Sequence, residues 1–422
     1  MDEIIVEGGT PLRGEVVIGG AKNAVLPMMA ACLLVPGPVR IRNVPRLRDV
    51  ATFLDLLHAL GVRGGYENHS LVLDASRVAS CEAPYAHVKK MRASIYVLGP
   101  LLARLGQARV SMPGGCAWGP RPVNLHQDAM QALGAQLALE HGYIVARADR
   151  LRGAKIVFDV CSVGATGNAM MAAALAEGTT EIENAAAEPE IAALAEFLNG
   201  LGARIRGAGG KTITIEGVTA LQQAEPFVNI PDRIEAGTFL VAGAITGGDV
   251  VARGVRPDHL AMVLSRLERM GCELTTGADS VRVRVGKGGL QGTAIVTEPY
   301  PGFPTDLQAQ FMALLCLARG TGVITETIYP DRFTHVPELR RLGAEITLSG
   351  NVATVTGVER LQGASVMSTD IRASSALILG GLAAAGWTRV SRVYHIDRGY
   401  ERIEEKLQGL GARIRRVREG ET

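Results

Sequence analysis

Apolar and polar positions along this chain form a pattern that repeats six times. Each cycle contains two helical stretches of different character. One is apolar nearly all round, at 22–34, 91–105, 167–176, 234–245, 306–318 and 372–385. A helix without a polar face has to be buried. The other is amphipathic and closes on a hydrophobic–Gly–small step: Leu60-Gly61-Val62, Leu133-Gly134-Ala135, Leu201-Gly202-Ala203, Met270-Gly271-Cys272, Leu342-Gly343-Ala344 and Leu410-Gly411-Ala412. Glycine just past a helical pattern predicts a left-handed residue ending the helix before a strand. β-Branched runs such as 39–44, 180–183 and 323–326 follow the apolar helices and read as strands.

The step glycines lie 68 to 73 residues apart. Self-similarity at a fixed period predicts one supersecondary unit per repeat. Six α/β units in 422 residues predict two domains of three units each, 22–229 and 1–21 plus 230–422, meeting near Val228-Asn229-Ile230-Pro231. The opening segment, 4–18, has no unit of its own and is expected to supply a strand to the second domain.

Composition narrows the function classes. Apolar residues make up 47% of the chain, enough for two cores, and the near-balance of charge, +2, excludes a strongly basic nucleic-acid binder. An anion site would therefore depend on local placement of cations. The six cysteines lack CxxC spacing, which argues against a zinc site or a disulfide framework. The acidic opening Met1-Asp2-Glu3 is unlike a secretory signal, and the longest apolar run, 24–35, contains Pro27 and is too short to span a bilayer. The expectation is a soluble cytoplasmic protein with no membrane or nucleic-acid partner.

Charge appears where buried helices begin: Lys22-Asn23, Arg92, Arg233 with Glu235, Asp306 with Gln308, and Arg372 with Ser374. Singly, each reads as a cap or ion pair; five together point to a shared face that binds anions. A second anomaly is the segment 112–122, with three glycines and three prolines around Cys116 and Arg121. An exposed loop cysteine beside arginine is a candidate reactive thiol. His126, His335 and His395 are weaker candidates for general bases, with a plain hydrogen-bonding role favoured. Ser162-Val163-Gly164-Ala165-Thr166 reads as a turn at a helix start, suited to phosphate or to simple capping.

Several of these segments together resemble one family. Gly19-Gly20-Ala21-Lys22-Asn23, Pro113-Gly114-Gly115-Cys116, Arg121-Pro122-Val123, Ser162 to Thr166, Phe303-Pro304-Thr305-Asp306 and Tyr394 to Tyr400 are similar to the UDP-N-acetylglucosamine 1-carboxyvinyltransferases, over essentially the whole chain. The resemblance implies a two-domain inside-out α/β barrel built from six βαβαββ-type units, with the active site in the cleft between the domains. It implies phosphoenolpyruvate and UDP-N-acetylglucosamine as substrates, no metal and no cofactor, in the first committed step of peptidoglycan synthesis.

Residue by residue, it assigns Lys22, Arg121 and Arg398 to phosphoenolpyruvate, with Arg92, Arg332 and Arg372 completing a cationic pocket. Asn23, Asp306 and Ile328 would position the sugar. Arg121, Pro122, Val123, Asn124 and Leu125, with Cys161, Ser162, Val163 and Gly164, would line the uridine and diphosphate site. Cys116 would be the general acid and the target of the epoxide fosfomycin, with Asp306, Lys22 and Arg398 completing the catalytic set. The chain departs from the usual pattern at Trp118, Pro120, Asn124, Val160 and Ala187, which bear on acceptor choice. Three other readings are weighed: the shikimate-pathway transferase of the same fold, which lacks the Pro-Gly-Gly-Cys segment; a transferase for another nucleotide acceptor; and a catalytically silent nucleotide-sugar sensor.

Overall fold

The computed structural model describes residues 2–112 and 123–418. These form two compact units, one of residues 20–230 and one of residues 1–19 with 231–422. Each has its own apolar core. The first unit is thus an insertion in the chain of the second.

The apolar stretches form helices that serve as cores. They are α1 (Lys22–Ala31), α2 (Leu98–Leu105), α3 (Val163–Ala173), α4 (Arg233–Ile245), α5 (Gln308–Leu315) and α6 (Ile371–Ala383). Every residue of α5, and every residue of α4 but Arg233, is buried. With no solvent-facing side, such helices pack on one another while sheets cover them, and α4, α5 and α6 are in mutual contact. This is the inside-out arrangement. Two helices begin later than the apolar pattern implies. Arg92–Val97 and Thr305–Leu307 are 3-10 segments ahead of α2 and α5, so Asp306 sits in a single tight turn before the helix. In the other direction, α3 starts at Val163, because Ser162 caps it by accepting a hydrogen bond from the Ala165 N–H at 3.2 Å.

All six step glycines have positive φ, between 90° and 101°. Each lets the amphipathic helix stop and the chain reverse into a strand.

Six four-stranded sheets follow one plan. The strand after each apolar helix lies second in its sheet. It pairs parallel with a short edge strand and antiparallel with its other neighbour, as Thr179–Glu183 does with Lys155–Val157 and Thr212–Glu216. Two sheets obtain their parallel edges out of sequence. Arg13–Val17 pairs with Asp249–Arg253, and Phe227–Val228 pairs with Pro38–Arg42. The leading edge strands have exchanged owners, which is why the chain passes twice between the units.

The opening segment is two strands, not one. Asp2–Glu7 lies between Trp387–Ser391 and Arg413–Arg418, in the place other repeats fill with their own last strand. The break falls at Gly8-Gly9. A Cβ on Gly8 would lie 2.1 Å from the Ala384 carbonyl oxygen, and Gly9 has φ +86°, so the backbone turns hard against the end of α6.

Candidate active site

In the second unit two of the expected residues, Arg332 and Arg372, converge on a third, Asp306. Its 3-10 turn, the segment carrying Arg332 and the first turn of α6 bring one carboxylate between two guanidinium groups. Arg332 Nη2 lies 2.9 Å from Oδ1, and Arg372 Nη2 lies 2.7 Å from Oδ2. The arginine side chains are 8% and 6% exposed and Asp306 27%, so solvent reaches the cluster through the carboxylate. Burial works against the charge of Arg372, but the Asp306 carboxylate, helped by Tyr400 and Asp232, reverses this and holds its pKa above the ordinary guanidinium value.

The hydroxyl protons here are fixed by what each neighbour can accept. Arg372 Nη1 and Gln310 Nε2 both donate to the Tyr400 phenol oxygen, each at 3.2 Å. The phenol must therefore donate to Thr238 Oγ1, at 2.8 Å, and Thr238 donates to the Ile234 carbonyl at 2.8 Å. Asp370 caps α6 by accepting from the N–H groups of Arg372 and Ala373. Arg398 ends the 3-10 segment Val393–Arg398, and Ile328 follows the strand Thr321–Thr325.

In the first unit, Lys22 is the first residue of α1. Its Nζ lies 3.3 Å from Asp49 Oδ2, and both side chains are buried. Asn23 beside it is half-buried, as are Arg92, Leu125, Cys161, Ser162, Val163 and Gly164. Val123 is buried, and Asn124 is exposed at the start of the helix Asn124–Ala132. Cys116, Trp118, Pro120, Arg121 and Pro122 lie outside the described residues.

His126 is not a general base. The Gly99 N–H donates to Asn168 Oδ1 at 2.8 Å, which identifies the other amide atom as nitrogen. That nitrogen donates to the Ile95 carbonyl and to His126 Nδ1, each at 3.0 Å, so the imidazole is neutral with its proton on Nε2. Burial, with Arg92 nearby, lowers its pKa to about 3. His335 is also buried, and burial pushes its pKa down to about 4 against the pull of Asp370. Between the unfolded value near 6.5 and these folded values, the unfolded chain binds protons that the folded chain does not. Stability is therefore complete above about pH 6.5 and falls as pH drops through this window. For His126 alone, going from pH 7 to pH 5 is expected to remove about 2 kcal/mol, read as a lower urea midpoint. A His126→Asn variant should lose that share of the pH dependence.

Three participants escape the motif reading: Asp49, Glu326 and Tyr400 in its hydrogen-bonding role. Asp49 is a buried carboxylate in the first turn of an amphipathic helix, and Glu326 ends a β-branched run; a charge in an apolar register was the available signal. Among the described residues no cluster of His, Cys, Asp or Glu could hold a metal ion, and no helix is long and apolar enough to cross a membrane.

A family model described as EPSP synthase (3-phosphoshikimate 1-carboxyvinyltransferase) matches residues 6–407. A UDP-N-acetylglucosamine 1-carboxyvinyltransferase from Chlorobium phaeovibrioides is 55% identical over 419 residues, covering 99% of this chain and 98% of that one. The protein of the same name from Dichelobacter nodosus is 53% identical over 420 residues, covering 99% and 100%. Among solved structures, the enolpyruvyl transferase NikO from Streptomyces tendae superposes with a TM-score of 0.90 at 28% identity, covering 99% of each chain. EPSP synthase from Acinetobacter baumannii, with a TM-score of 0.74 and 18% identity over 99% of this chain and 100% of that one, shares the fold.

Proposed function

We propose a function from one premise: the chain belongs to the EPSP synthase family and, within it, to the UDP-N-acetylglucosamine 1-carboxyvinyltransferases. It transfers the enolpyruvyl group of phosphoenolpyruvate to the 3′-hydroxyl of UDP-N-acetylglucosamine and releases phosphate. The observation that carries this is identity of 53% to 55% along almost the whole chain to proteins named for that activity. The same reading makes the enzyme cytoplasmic and its product a precursor of peptidoglycan, hence of cell shape and division.

The chemistry suits the residues. The sugar hydroxyl adds to C2 of phosphoenolpyruvate while the methylene carbon gains a proton. Loss of phosphate and of a methyl proton then restores the double bond on the new ether. We assign the proton donor to Cys116 and the group facing the hydroxyl to Asp306. Lys22, Arg121 and Arg398, with Arg92, Arg332 and Arg372, compensate the charges of phosphoenolpyruvate. Arginine's planar fork suits carboxylate and phosphate. Asn23 and Ile328 meet the sugar, while Val123 to Leu125 and Cys161 to Gly164 meet the uridine diphosphate. The two arginines on Asp306 fit this proposal, because a carboxylate already compensated can orient a hydroxyl without repelling an anionic co-substrate.

Phosphate release with phosphoenolpyruvate and either UDP-N-acetylglucosamine or shikimate 3-phosphate tests the reading. Release with the sugar nucleotide alone is expected; release only with the shikimate ester would overturn it. Fosfomycin gives a second test. Burial raises the thiol pKa of Cys161 to about 11, and of Cys272 and Cys316 to about 12, so these are poor nucleophiles at neutral pH. Mass spectrometry should find a single adduct on the peptide containing Cys116. An adduct on Cys81 with Cys116 untouched would remove Cys116 from its assigned role.

A further inference from the structure

Glu326 is fully buried, and its carboxylate accepts four hydrogen bonds from neutral donors. Oε1 accepts from Thr297 Oγ1 at 2.7 Å and from the backbone N–H groups of Ile328 and Tyr329 at 2.9 and 3.0 Å. Oε2 accepts from Thr305 Oγ1 at 2.8 Å. Thr305 in turn accepts from Arg332 Nη1 at 2.9 Å, and Arg332 Nη2 reaches Asp306. A guanidinium only donates and a carboxylate only accepts, so the single Thr305 hydroxyl proton must point to Glu326, leaving its lone pairs to Arg332. A buried ionised group is normally expensive, and one kept in place by four donors fixes everything attached to it.

We infer that Glu326 is a positioning residue for the reaction proposed above, on which this inference rests. Through Thr305 it aims the Arg332 guanidinium, and through two backbone N–H groups it sets the turn that carries Ile328. Arg332 then has one arm on Thr305 and one on Asp306 before any substrate arrives. The phosphoenolpyruvate side and the sugar side are thus aligned by one carboxylate that touches neither.

Glu326→Gln tests this, because no orientation of an amide reproduces the contacts. With its oxygen on Ile328 and Tyr329, its NH₂ can meet Thr305 only through the hydroxyl's second lone pair, which takes away the acceptor of the Thr305 proton and reverses the relay; turned over, the NH₂ faces two backbone donors. The KM for phosphoenolpyruvate should rise about tenfold or more, as expected for one lost charge-assisted hydrogen bond, with a smaller change in kcat. Thr305→Val should reproduce the rise, Thr305→Ser should restore wild-type kinetics, and the double variant Glu326→Gln with Thr305→Val should be no worse than either single change, because both cut one relay. A merely structural Glu326 would lower the melting temperature in all variants and leave KM per folded molecule unchanged; that result overturns the inference. Stabilisation against heat by added phosphoenolpyruvate reads the same contact without turnover. It should be weaker in Glu326→Gln than in wild type, and equal shifts, large or nil, would sink the positioning role. Absence of phosphate release by the wild type would instead count against the proposed function.

Discussion

Asp306→Asn is expected to lower turnover by about 10²–10⁴-fold while UDP-N-acetylglucosamine binds within about threefold of wild type. Asparagine keeps the shape but has one accepting oxygen where aspartate has two. In wild type each carboxylate oxygen holds one guanidinium, at 2.9 Å and 2.7 Å. After the change, Arg332 or Arg372 faces an NH₂ group, and buried Arg372 loses its first counter-charge. Breaking such a partly buried pair costs about 3 kcal/mol, which for a unit of this size lowers Tm by about 6–12 °C. Three measurements on one preparation separate the roles: melting temperature, calorimetric affinity for the sugar nucleotide, and phosphate release per folded molecule. A lower Tm with turnover retained would leave Asp306 as a structural counter-ion only.

Gly357→Ala should be among the most destabilising single changes in the chain. A Cβ at Gly357 would lie 1.6 Å from the Ala318 carbonyl oxygen and 2.8 Å from its carbon. The obstacle is backbone already tied in place, with the Gly357 N–H donating to the Gly320 carbonyl at 3.0 Å and Val358 N–H to Cys316 at 2.8 Å. Gly217 makes the same approach two repeats earlier, 1.7 Å from the Ala176 oxygen. Neither strand end can retreat without breaking its sheet, so a loss of at least about 3 kcal/mol, or roughly 6–12 °C in Tm, is expected. Gly37→Ala, where a Cβ meets nothing within 4 Å, should change stability by less than about 0.5 kcal/mol. Near-equal melting of the two variants would refute the close approach.

The repeat was legible because its signals are local. A helix lacking a polar face and a glycine ending an amphipathic helix are read within a short window, and all six glycines have the positive φ that reading requires. The boundaries of α2, α3 and α5 were not, since a 3-10 turn and a serine cap leave the apolar period unchanged. The exchange of edge strands was legible only on one side: 4–18 is expected in the second domain, where Arg13–Val17 pairs with Asp249–Arg253, but the return of Phe227–Val228 to Pro38–Arg42 is decided by long-range pairing that no local signal carries. At the site, Arg332 and Arg372 were assigned together to a cationic pocket and Asp306 to the sugar, but the ion pairs that join them depend on where three separate segments meet. Asp49 and Glu326 belong to no motif and become visible only through what they hold.

The place of Asp2–Glu7 between Trp387–Ser391 and Arg413–Arg418 sets the order of assembly during synthesis. The partners of this opening strand are made long after it is. Until Trp387–Ser391 is made, Asp2–Glu7 has two unmatched edges, and until Arg413–Arg418 follows it has one, a state prone to mispairing with other chains. Residues 20–230 have no such delay, because all their sheets close among themselves. The inserted unit can be complete while the enclosing one is still waiting. Nascent-chain folding should accordingly complete residues 20–230 first and close the sheet of Asp2–Glu7 only once Arg413–Arg418 has been made.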